Sequence, residues 1–398
     1  MMPTTRRSVL CGSLGAAAAV GLRPGRAKAA PEPIRFGWPA AITGANSAVG
    51  IAYNRAINFA ANKINAAGGV NGRMIEVVTR ETQGDPAKAV NAVVEMISNL
   101  KVHAVFGPAN SGEALAAQPI LARSRIPTLT CGTVDTLIDP AKYPTAYRIT
   151  PNNVQWDAVN LKYCLEILKA KKAAVIGDNT GFGTMLSDNA AANLQKAGAD
   201  VVYHVQIDAD AQDVTPHLLR SRSAGAEVVV VWSNATGLLA RLMNTRGRMG
   251  WDVPFSGMPA MGAGDIGRLL EKPQYWEKVY IVSCRSCSYD ASGKLPPRTQ
   301  KFLDELTGKI ELTDTLLYWV MVAYDAVNLV ADAVAKTGST DSAAITGYWS
   351  HLKAWPGTYC DYTFTPEEHN GFPTDQQVMA VANTQRQGAF NLAPGYSS

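Results

Sequence analysis

The stretch from residue 62 to residue 112 alternates helix, strand, helix and strand, and this order constrains the fold more than any other feature. The first helix ends at Gly68-Gly69, where residues without a side chain adopt the left-handed conformation that closes a helix. Asp85-Pro86 restarts a helix, with a side-chain cap and a proline that needs no amide partner in the first turn. The apolar segments between these signals predict strands at 74–78 and 102–106.

The turn that follows the second of these strands carries the first candidate for a binding site. Gly107-Pro108 stops the strand, and Asn110-Ser111-Gly112 leads into a helix predicted from Glu113. Ser111 therefore stands at the carboxyl end of a strand and the amino end of a helix, where free N–H groups attract an anion. The alternative is that Ser111 only caps the helix and has no ligand.

Strands and helices continue to alternate in two series, which is typical of parallel sheets covered by helices on both faces. The first series covers 34–129, and 147–151 resembles a crossing segment. The second series begins after Pro151 and has these predicted strands: 173–177, 201–206, 227–232, 254–256 and 279–283. A long apolar helix at 312–336 and a segment at 348–364 follow. We predict an α/β fold.

The amino terminus has the pattern of an export signal. Residues 5–10 hold the pair Arg6-Arg7, a mildly apolar run reaches Leu22, and Ala27-Lys28-Ala29 fits cleavage between small residues. This predicts a twin-arginine signal peptide over 1–29 and a periplasmic location. A lipoprotein anchor at Cys11 fits poorly, because Leu10 stands where a small residue is needed. No later run reaches 18 apolar residues, so no membrane-spanning helix is predicted.

The basic character of the chain belongs to this leader. The whole chain has 37 basic and 33 acidic side chains, and removal of 1–29 leaves 32 against 33. No basic patch then argues for binding to nucleic acid or to an anionic membrane. The 369 residues that remain of 398 exceed what one hydrophobic core usually organises, so two domains are expected.

The motifs of common enzyme classes are missing. Gly181-Phe182-Gly183 is only a fragment of a dinucleotide loop, and 107–112 has neither the Lys-Ser/Thr of a P-loop nor the order of a serine hydrolase. The histidines are scattered without metal-ligand spacing: His103, His204, His217, His351 and His369. We therefore expect no catalytic residue, no metal and no cofactor.

Five cysteines remain after the leader: Cys131, Cys164, Cys284, Cys287 and Cys360. An odd number leaves at least one free thiol or an intermolecular bond. Redox C-x-x-C sites open a helix, whereas Cys284 and Cys287 follow a predicted strand. A local disulfide or two plain thiols are therefore both preferred to a redox motif.

Three motifs in order carry a family resemblance. They are Ala-Gly-Gly-Val-Asn-Gly-Arg at 67–73, Asp-Pro at 85–86 and Gly-Pro-x-x-Ser-Gly at 107–112. This block resembles the N-terminal lobe of leucine/isoleucine/valine-binding periplasmic substrate-binding proteins, and the likeness extends from 34 to about 372. The resemblance implies a type I periplasmic binding fold with two lobes, each a mostly parallel sheet flanked by helices, joined by three crossing segments. It places the lobe boundaries at 30–148 with 284–356 for the first lobe, and 149–283 with 357–398 for the second.

The same resemblance implies where a ligand binds the first lobe. In the amino-acid-binding members, the serine of Gly-Pro-x-x-Ser-Gly holds the ligand carboxylate, which points to Ser111 with its neighbour Asn110. The turn after the fourth strand usually offers a backbone carbonyl and a threonine. Here Gly132 keeps the carbonyl, Thr133 follows it, and Val134 occupies the threonine position, so that the backbone N–H is retained but the hydroxyl is lost.

In the second lobe the chain departs from the pattern of amino-acid binders. Phe182 stands where an aromatic residue packs on the ligand, and Trp232 falls where a tyrosine is common; core packing is the alternative for both. Amino-acid binders place an acid near Pro259, and this chain has none there, since Asp265 is too distant and is expected to cap a helix. A buried ammonium without a carboxylate costs several kcal/mol. Val49, where many relatives carry an aromatic residue, widens the first-lobe wall.

Together these features predict a periplasmic solute-binding protein of an ABC importer that binds a small aromatic or apolar carboxylate between two closing lobes. The expected partners are this small molecule and a membrane permease, and a monomer is expected. One alternative is a binding protein for branched-chain or other amino acids. Another is a sensor module for amides or other small molecules, and an exported enzyme ranks third because no nucleophile–base pair is visible.

Overall fold

A computed structural model describes residues 31–44 and 47–396, so the predicted signal peptide lies outside the described part. The first series forms a five-stranded parallel sheet. Its elements are β1 (Ile34–Ala40), α1 (Ser47–Ala66), β2 (Ile75–Glu81), α2 (Pro86–Ser98), β3 (Ala104–Phe106), α3 (Ser111–Arg123), β4 (Thr128–Thr130) and β5 (Ala146–Arg148). The strand order is β2-β1-β3-β4-β5. We refer to this as the first sheet.

The second series forms the parallel part of a second sheet. Its elements are α4 (Asn153–Lys162), β6 (Lys172–Asp178), α5 (Gly181–Lys196), β7 (Asp200–Ile207), α6 (Thr215–Ser223), β8 (Val228–Trp232), α7 (Thr236–Arg248), β9 (Phe255–Gly257), α8 (Gly264–Leu269) and β10 (Val279–Cys284). The five strands pair side by side in the order β10-β9-β8-β6-β7. β8 is apolar along its whole length because helices cover both faces of a parallel sheet.

The remaining chain returns to the first sheet and then crosses back. Its elements are β11 (Ser288–Tyr289), α9 (Pro297–Leu306), α10 (Leu317–Thr337), α11 (Ser342–Trp349), β12 (Trp355–Pro356), β13 (Asp361–Tyr362), β14 (Gln377–Val381) and β15 (Phe390–Asn391). α10 packs along α1, whereas β14 adds antiparallel to β10 at the edge of the second sheet. The predicted α/β class with mostly parallel sheets is confirmed. The residue numbers at which one lobe ends and the other begins stay a prediction.

Two helix starts differ from the sequence prediction, each for a local reason. α3 begins at Ser111 rather than Glu113, because the Asn110 side chain accepts the Glu113 N–H at 3.0 Å and caps the helix. The capping role proposed as the alternative for Ser111 thus belongs to Asn110. The long helix begins at Leu317 rather than at residue 312. The carbonyls of Leu312 and Thr315 accept hydrogen bonds from the Gln385 side-chain amide, not from N–H groups of a helix.

α10 is the one helix in the described part that is long and apolar enough to cross a membrane. Its 18-residue apolar window is 83% buried inside the protein. The helix contacts α1, α11 and β3. A helix surrounded by other elements is apolar on all faces, so the composition of α10 is explained by its position in the core.

Asp325 is a buried carboxylate within this apolar helix, with 1% of its surface exposed. It accepts the backbone N–H groups of Thr358 at 2.8 Å and Tyr359 at 2.9 Å, and the hydroxyls of Thr358 and Tyr362. Burial raises the pKa of Asp325 to about 6. These bonds tie α10 to the segment that joins β12 and β13. Gly357 is required there, since a Cβ would lie 2.7 Å from the Asp325 carboxylate.

Glu113 is a second buried carboxylate, in the first turn of α3 and 0% exposed. One carboxylate oxygen accepts the Asn110 amide, and the other has no partner among the described residues. Burial raises the pKa of Glu113 from 4.5 to about 7. The desolvation of the carboxylate therefore outweighs the favourable amino end of the helix.

We predict that Asp325→Ala lowers the free energy of unfolding by about 3–5 kcal/mol, because four donors lose their acceptor inside the core. Urea unfolding followed by circular dichroism measures this. Asp210→Ala is the matched control, since Asp210 is exposed, and its effect should stay within about 0.5 kcal/mol. Equal unfolding midpoints for the two variants would contradict the role assigned to Asp325.

We predict that Glu113→Gln stabilises the protein at pH 8 relative to the wild type. The folded wild type holds a proton up to about pH 7 and the unfolded chain only to about 4.5, so wild-type stability falls as pH rises through this window. The advantage of the variant should grow from near zero at pH 4 to on the order of 2–3 kcal/mol at pH 8. Urea unfolding across this range measures it, and a difference independent of pH would contradict the prediction.

Candidate functional site

A narrow cavity of about 30 Å³ lies at the carboxyl ends of strands from both sheets. Residues that follow β3, β4, β5 and β8 line it, together with the start of α5 and of α10. A wider surface groove of about 430 Å³ runs along Asp290 to Pro297. Ligands of open α/β sheets bind outside the carboxyl ends of the strands, so we place the site in the cavity.

The first-sheet side of the cavity is suited to an anion. Ser111 and Thr133 both line it and are almost fully buried. The Thr133 N–H donates to the Ser111 hydroxyl at 3.2 Å, and the two hydroxyls are 3.5 Å apart. Because Ser111 is the first residue of α3, free N–H groups of the helix surround it. Asn110, which also lines the cavity, holds this helix end in place as its cap.

Gly132 and Val134 do not line the cavity, although Thr133 between them does. The buried Arg148 side chain donates to the Gly132 carbonyl at 3.0 Å and also to the Val134 carbonyl. The same guanidinium pairs with the Asp135 carboxylate at 3.0 Å. The Val134 side chain packs in a separate apolar cluster with Leu137 and its neighbours. The ligand contacts of Gly132 and Val134 stay predictions.

Aromatic side chains form much of the remaining wall. Phe182 lines the cavity at the start of α5, and Trp156 contacts it edge-on with ring centres 6.2 Å apart. Tyr53 and two neighbours on α10, Tyr318 and Trp319, also line the cavity. Of these five, the sequence identified only Phe182 as a site residue. The others lie in helices whose apolar periodicity indicates core packing, so the sequence held no signal that set them apart.

Trp232 and Pro259 lie next to the cavity but not in its lining. Trp232 is fully buried at the end of β8, and its indole N–H has no partner among the described residues. Pro259 opens a buried 3-10 turn, and Met258 before it lines the cavity instead. Their ligand contacts stay predictions.

The cavity lining holds no Asp, Glu, Lys or Arg side chain among the described residues. Asp265 lies in the first turn of α8 and outside this lining. Its expected role as the cap of α8 is wrong, because Ala263 occupies the cap position and no side chain bonds there. The site therefore offers polar groups, helix N–H groups and aromatic faces, but no charge to pair with an ammonium.

The amino ends of α3 and α5 touch beside the cavity through two glycines. A Cβ placed on Gly181 would lie 3.2 Å from the Gly112 Cα, which is tighter than ordinary contact. Leu121 of α3 shares an apolar cluster with Val78 and Val105 of the first sheet, whereas α5 contacts β6, β7 and β8 of the second. The absence of side chains at both positions allows the two halves to approach this closely.

The five described cysteines are free thiols and are buried. Cys284 ends β10 and Cys287 ends the 3-10 turn after it, so the pair does not open an α-helix. Cys131 lines the cavity and donates to the Pro108 carbonyl at 3.2 Å; burial raises the pKa of this thiol. In the described part, no group of three His, Cys, Asp or Glu side chains could hold a metal ion.

The sequence matches the family model of periplasmic binding proteins over residues 33–389. An amino acid binding protein of Pseudomonas aeruginosa is 27% identical over 304 residues, which cover 76% of this chain and 78% of that protein. A branched-chain amino acid transporter substrate-binding protein of Streptococcus pneumoniae, solved with isoleucine, superposes with a TM-score of 0.76 at 23% identity, covering 90% of this chain and 97% of that one.

A solute-binding protein of an ABC transporter from Rhodopseudomonas palustris, solved with 4-hydroxybenzoate, superposes with a TM-score of 0.74 at 18% identity. The superposition covers 90% of this chain and 95% of that one. These structures share the two-lobed fold of mostly parallel sheets described above. Since the family model covers nearly all of the described residues, the chain belongs to the periplasmic binding protein family, a class of substrate-binding proteins.

Proposed function

We propose that the protein is the solute-binding component of an ABC importer and that its solute is a small organic carboxylate with an aromatic or apolar body. One observation carries the proposal: the cavity joins the amino end of α3 to aromatic walls, and no charged residue of the described part lines it. Its volume of about 30 Å³ is below the range for ligand pockets, roughly 300–1,000 Å³, so a ligand of this class requires the two halves to move apart from their positions in this structure.

The ligand carboxylate would lie against Ser111 and Thr133. Their hydroxyls and the free N–H groups of α3 are donors, and the positive end of the helix favours the charge. The apolar body would then lie between the first sheet and the Trp156–Phe182 pair, where it contacts ring faces and edges. Asn110 would keep the helix end in register with the ligand.

The same geometry disfavours an α-amino acid. An ammonium buried in this cavity would meet neutral oxygens only, and these repay little of its desolvation. The relative solved with 4-hydroxybenzoate supports a carboxylate without an ammonium. The relative solved with isoleucine, and the one named as an amino acid binding protein, favour the second candidate, a binding protein for branched-chain or other amino acids.

In the proposed mechanism the twin-arginine leader exports the chain, and two lobes close around the ligand in the periplasm. The lobes comprise 30–148 with 284–356, and 149–283 with 357–398. Contacts with both lobes shift the population towards the closed form by the difference in ligand affinity between the two states. The closed form is presented to a membrane permease, and no covalent step occurs.

A thermal-shift panel tests the ligand class. The wild type is heated with benzoate, 3-phenylpropionate and their hydroxylated forms, with leucine, isoleucine and valine, and with aliphatic amides. An organic acid at about 100 times its dissociation constant should stabilise the fold by roughly 2.7 kcal/mol. Stabilisation by the amino acids and by none of the acids would establish the second candidate instead.

Ser111→Ala should weaken every carboxylate ligand about tenfold, because one donor to the anion is lost. Isothermal titration measures the dissociation constants. Ser124→Ala at the other, exposed end of α3 is the matched control and should bind as the wild type does. If both variants bind equally well, the carboxylate does not lie at Ser111.

Gly181→Ala should weaken all ligands several-fold, since the new methyl group presses on the Gly112 Cα and opposes closure. Gly181→Val should weaken them further. Small-angle scattering with and without ligand shows whether the molecule still becomes compact. Gly347→Ala is the control, because nothing lies within 4 Å of its Cβ position. Wild-type affinity in both Gly181 variants would show that the glycine contact does not limit closure.

A further inference from the structure

Two polar atoms in the cavity wall have no hydrogen-bond partner among the described residues. They are the side-chain oxygen of Asn234 and the hydroxyl of Thr150. Both atoms are buried, so they cannot form hydrogen bonds with bulk water. An unpaired polar group in such a place costs free energy, and at a ligand site it usually finds its partner on the ligand.

Asn234 is not engaged in the structural role usual for its position. An asparagine just before a helix commonly caps it, yet α7 begins at Thr236 with Ala235 at the cap and no side-chain bond. The neighbouring Ser233 is fully used: its hydroxyl donates to the Asp178 carboxylate at 2.6 Å and accepts the Ala235 N–H at 3.0 Å. These bonds fix the turn, so the Asn234 side chain is not needed for that role and lines the cavity.

Asn234 follows β8 of the second sheet, whereas Ser111 and Thr133 follow strands of the first sheet. The anion donors and the unpaired acceptor therefore come from different halves of the protein. A ligand held by both has its carboxylate on the first side and a hydrogen-bond donor on the other. The acceptor is a neutral amide, and none of the described residues that line the cavity is acidic, so the acceptor suits an uncharged donor better than an ammonium.

We propose that Asn234 is a specificity residue that accepts a hydrogen bond from a hydroxyl group at the end of the ligand opposite its carboxylate. The preferred ligands are then hydroxylated aromatic acids rather than their unsubstituted forms. This inference rests on the proposed function and narrows its ligand class. The bond also links the second half of the protein to the ligand, so it contributes to closure.

Two matched pairs of ligands test the proposal: benzoate with 4-hydroxybenzoate, and 3-phenylpropionate with 3-(4-hydroxyphenyl)propionate. Isothermal titration of the wild type should show the hydroxylated member of at least one pair binding roughly tenfold tighter. In Asn234→Leu that preference should fall to within about twofold, while the unsubstituted acid keeps its affinity. Ser111→Ala should weaken both members of the pair alike and leave the preference intact.

The outcomes separate the two proposals. If the acids bind but the wild type prefers no hydroxylated form, or Asn234→Leu retains the preference, the role of Asn234 is overturned and the carboxylate site stands. If no acid binds, the proposed ligand class is wrong, and the role proposed for Asn234 is wrong as well. Thermal unfolding without ligand checks the fold; loss of an unpaired buried polar group should not lower the melting temperature. Asn234→Ala serves as a second variant and should behave as Asn234→Leu does.

Discussion

The geometry of the site depends on the hydrogen bonds and the ion pair made by the buried guanidinium of Arg148. It holds the turn after β4 through the carbonyls of Gly132 and Val134 and the carboxylate of Asp135. The Arg148 backbone also forms hydrogen bonds with a segment near the carboxyl end of the chain. Its N–H donates to the His369 carbonyl, and its carbonyl accepts the Gly371 N–H. Burial lowers the pKa of Arg148, and the polar contacts of the guanidinium offset the desolvation of its charge. One residue thus fixes Thr133 and the crossing segments together.

The electrostatics of the cavity depend on charges kept out of it. Glu113 lies two residues after Ser111 in the first turn of α3, and a full negative charge there would repel an anion. Burial raises the pKa of Glu113 to about 7, so the carboxyl is often neutral near neutral pH. One oxygen of the Glu113 carboxyl group accepts a hydrogen bond from the Asn110 side-chain amide. Since no described residue in the lining is acidic, the positive end of α3 favours a negatively charged ligand group there.

Much of the fold followed from local patterns. Apolar segments bounded by glycine, proline and asparagine predicted β6 to β10 to within about two residues, since such strands are buried on both faces. The turn at Ser111 was predicted because a strand end and a helix start meet within a few residues. Trp156, Tyr318 and Asn234 were missed, because a helical stripe or an isolated polar residue appears the same whether it faces a core or a cavity.

The sequence by itself determined the α/β class, the two series of strands and the position of Ser111 between a strand end and a helix start, because each depends on residues close together in the chain. The tertiary structure alone decided which side chains share the cavity. It turned Gly132 and Val134 towards Arg148, brought α10 and α5 to the same wall, and left Asn234 without a partner. These contacts join residues far apart in sequence, and packing in three dimensions, rather than local preference, selects them.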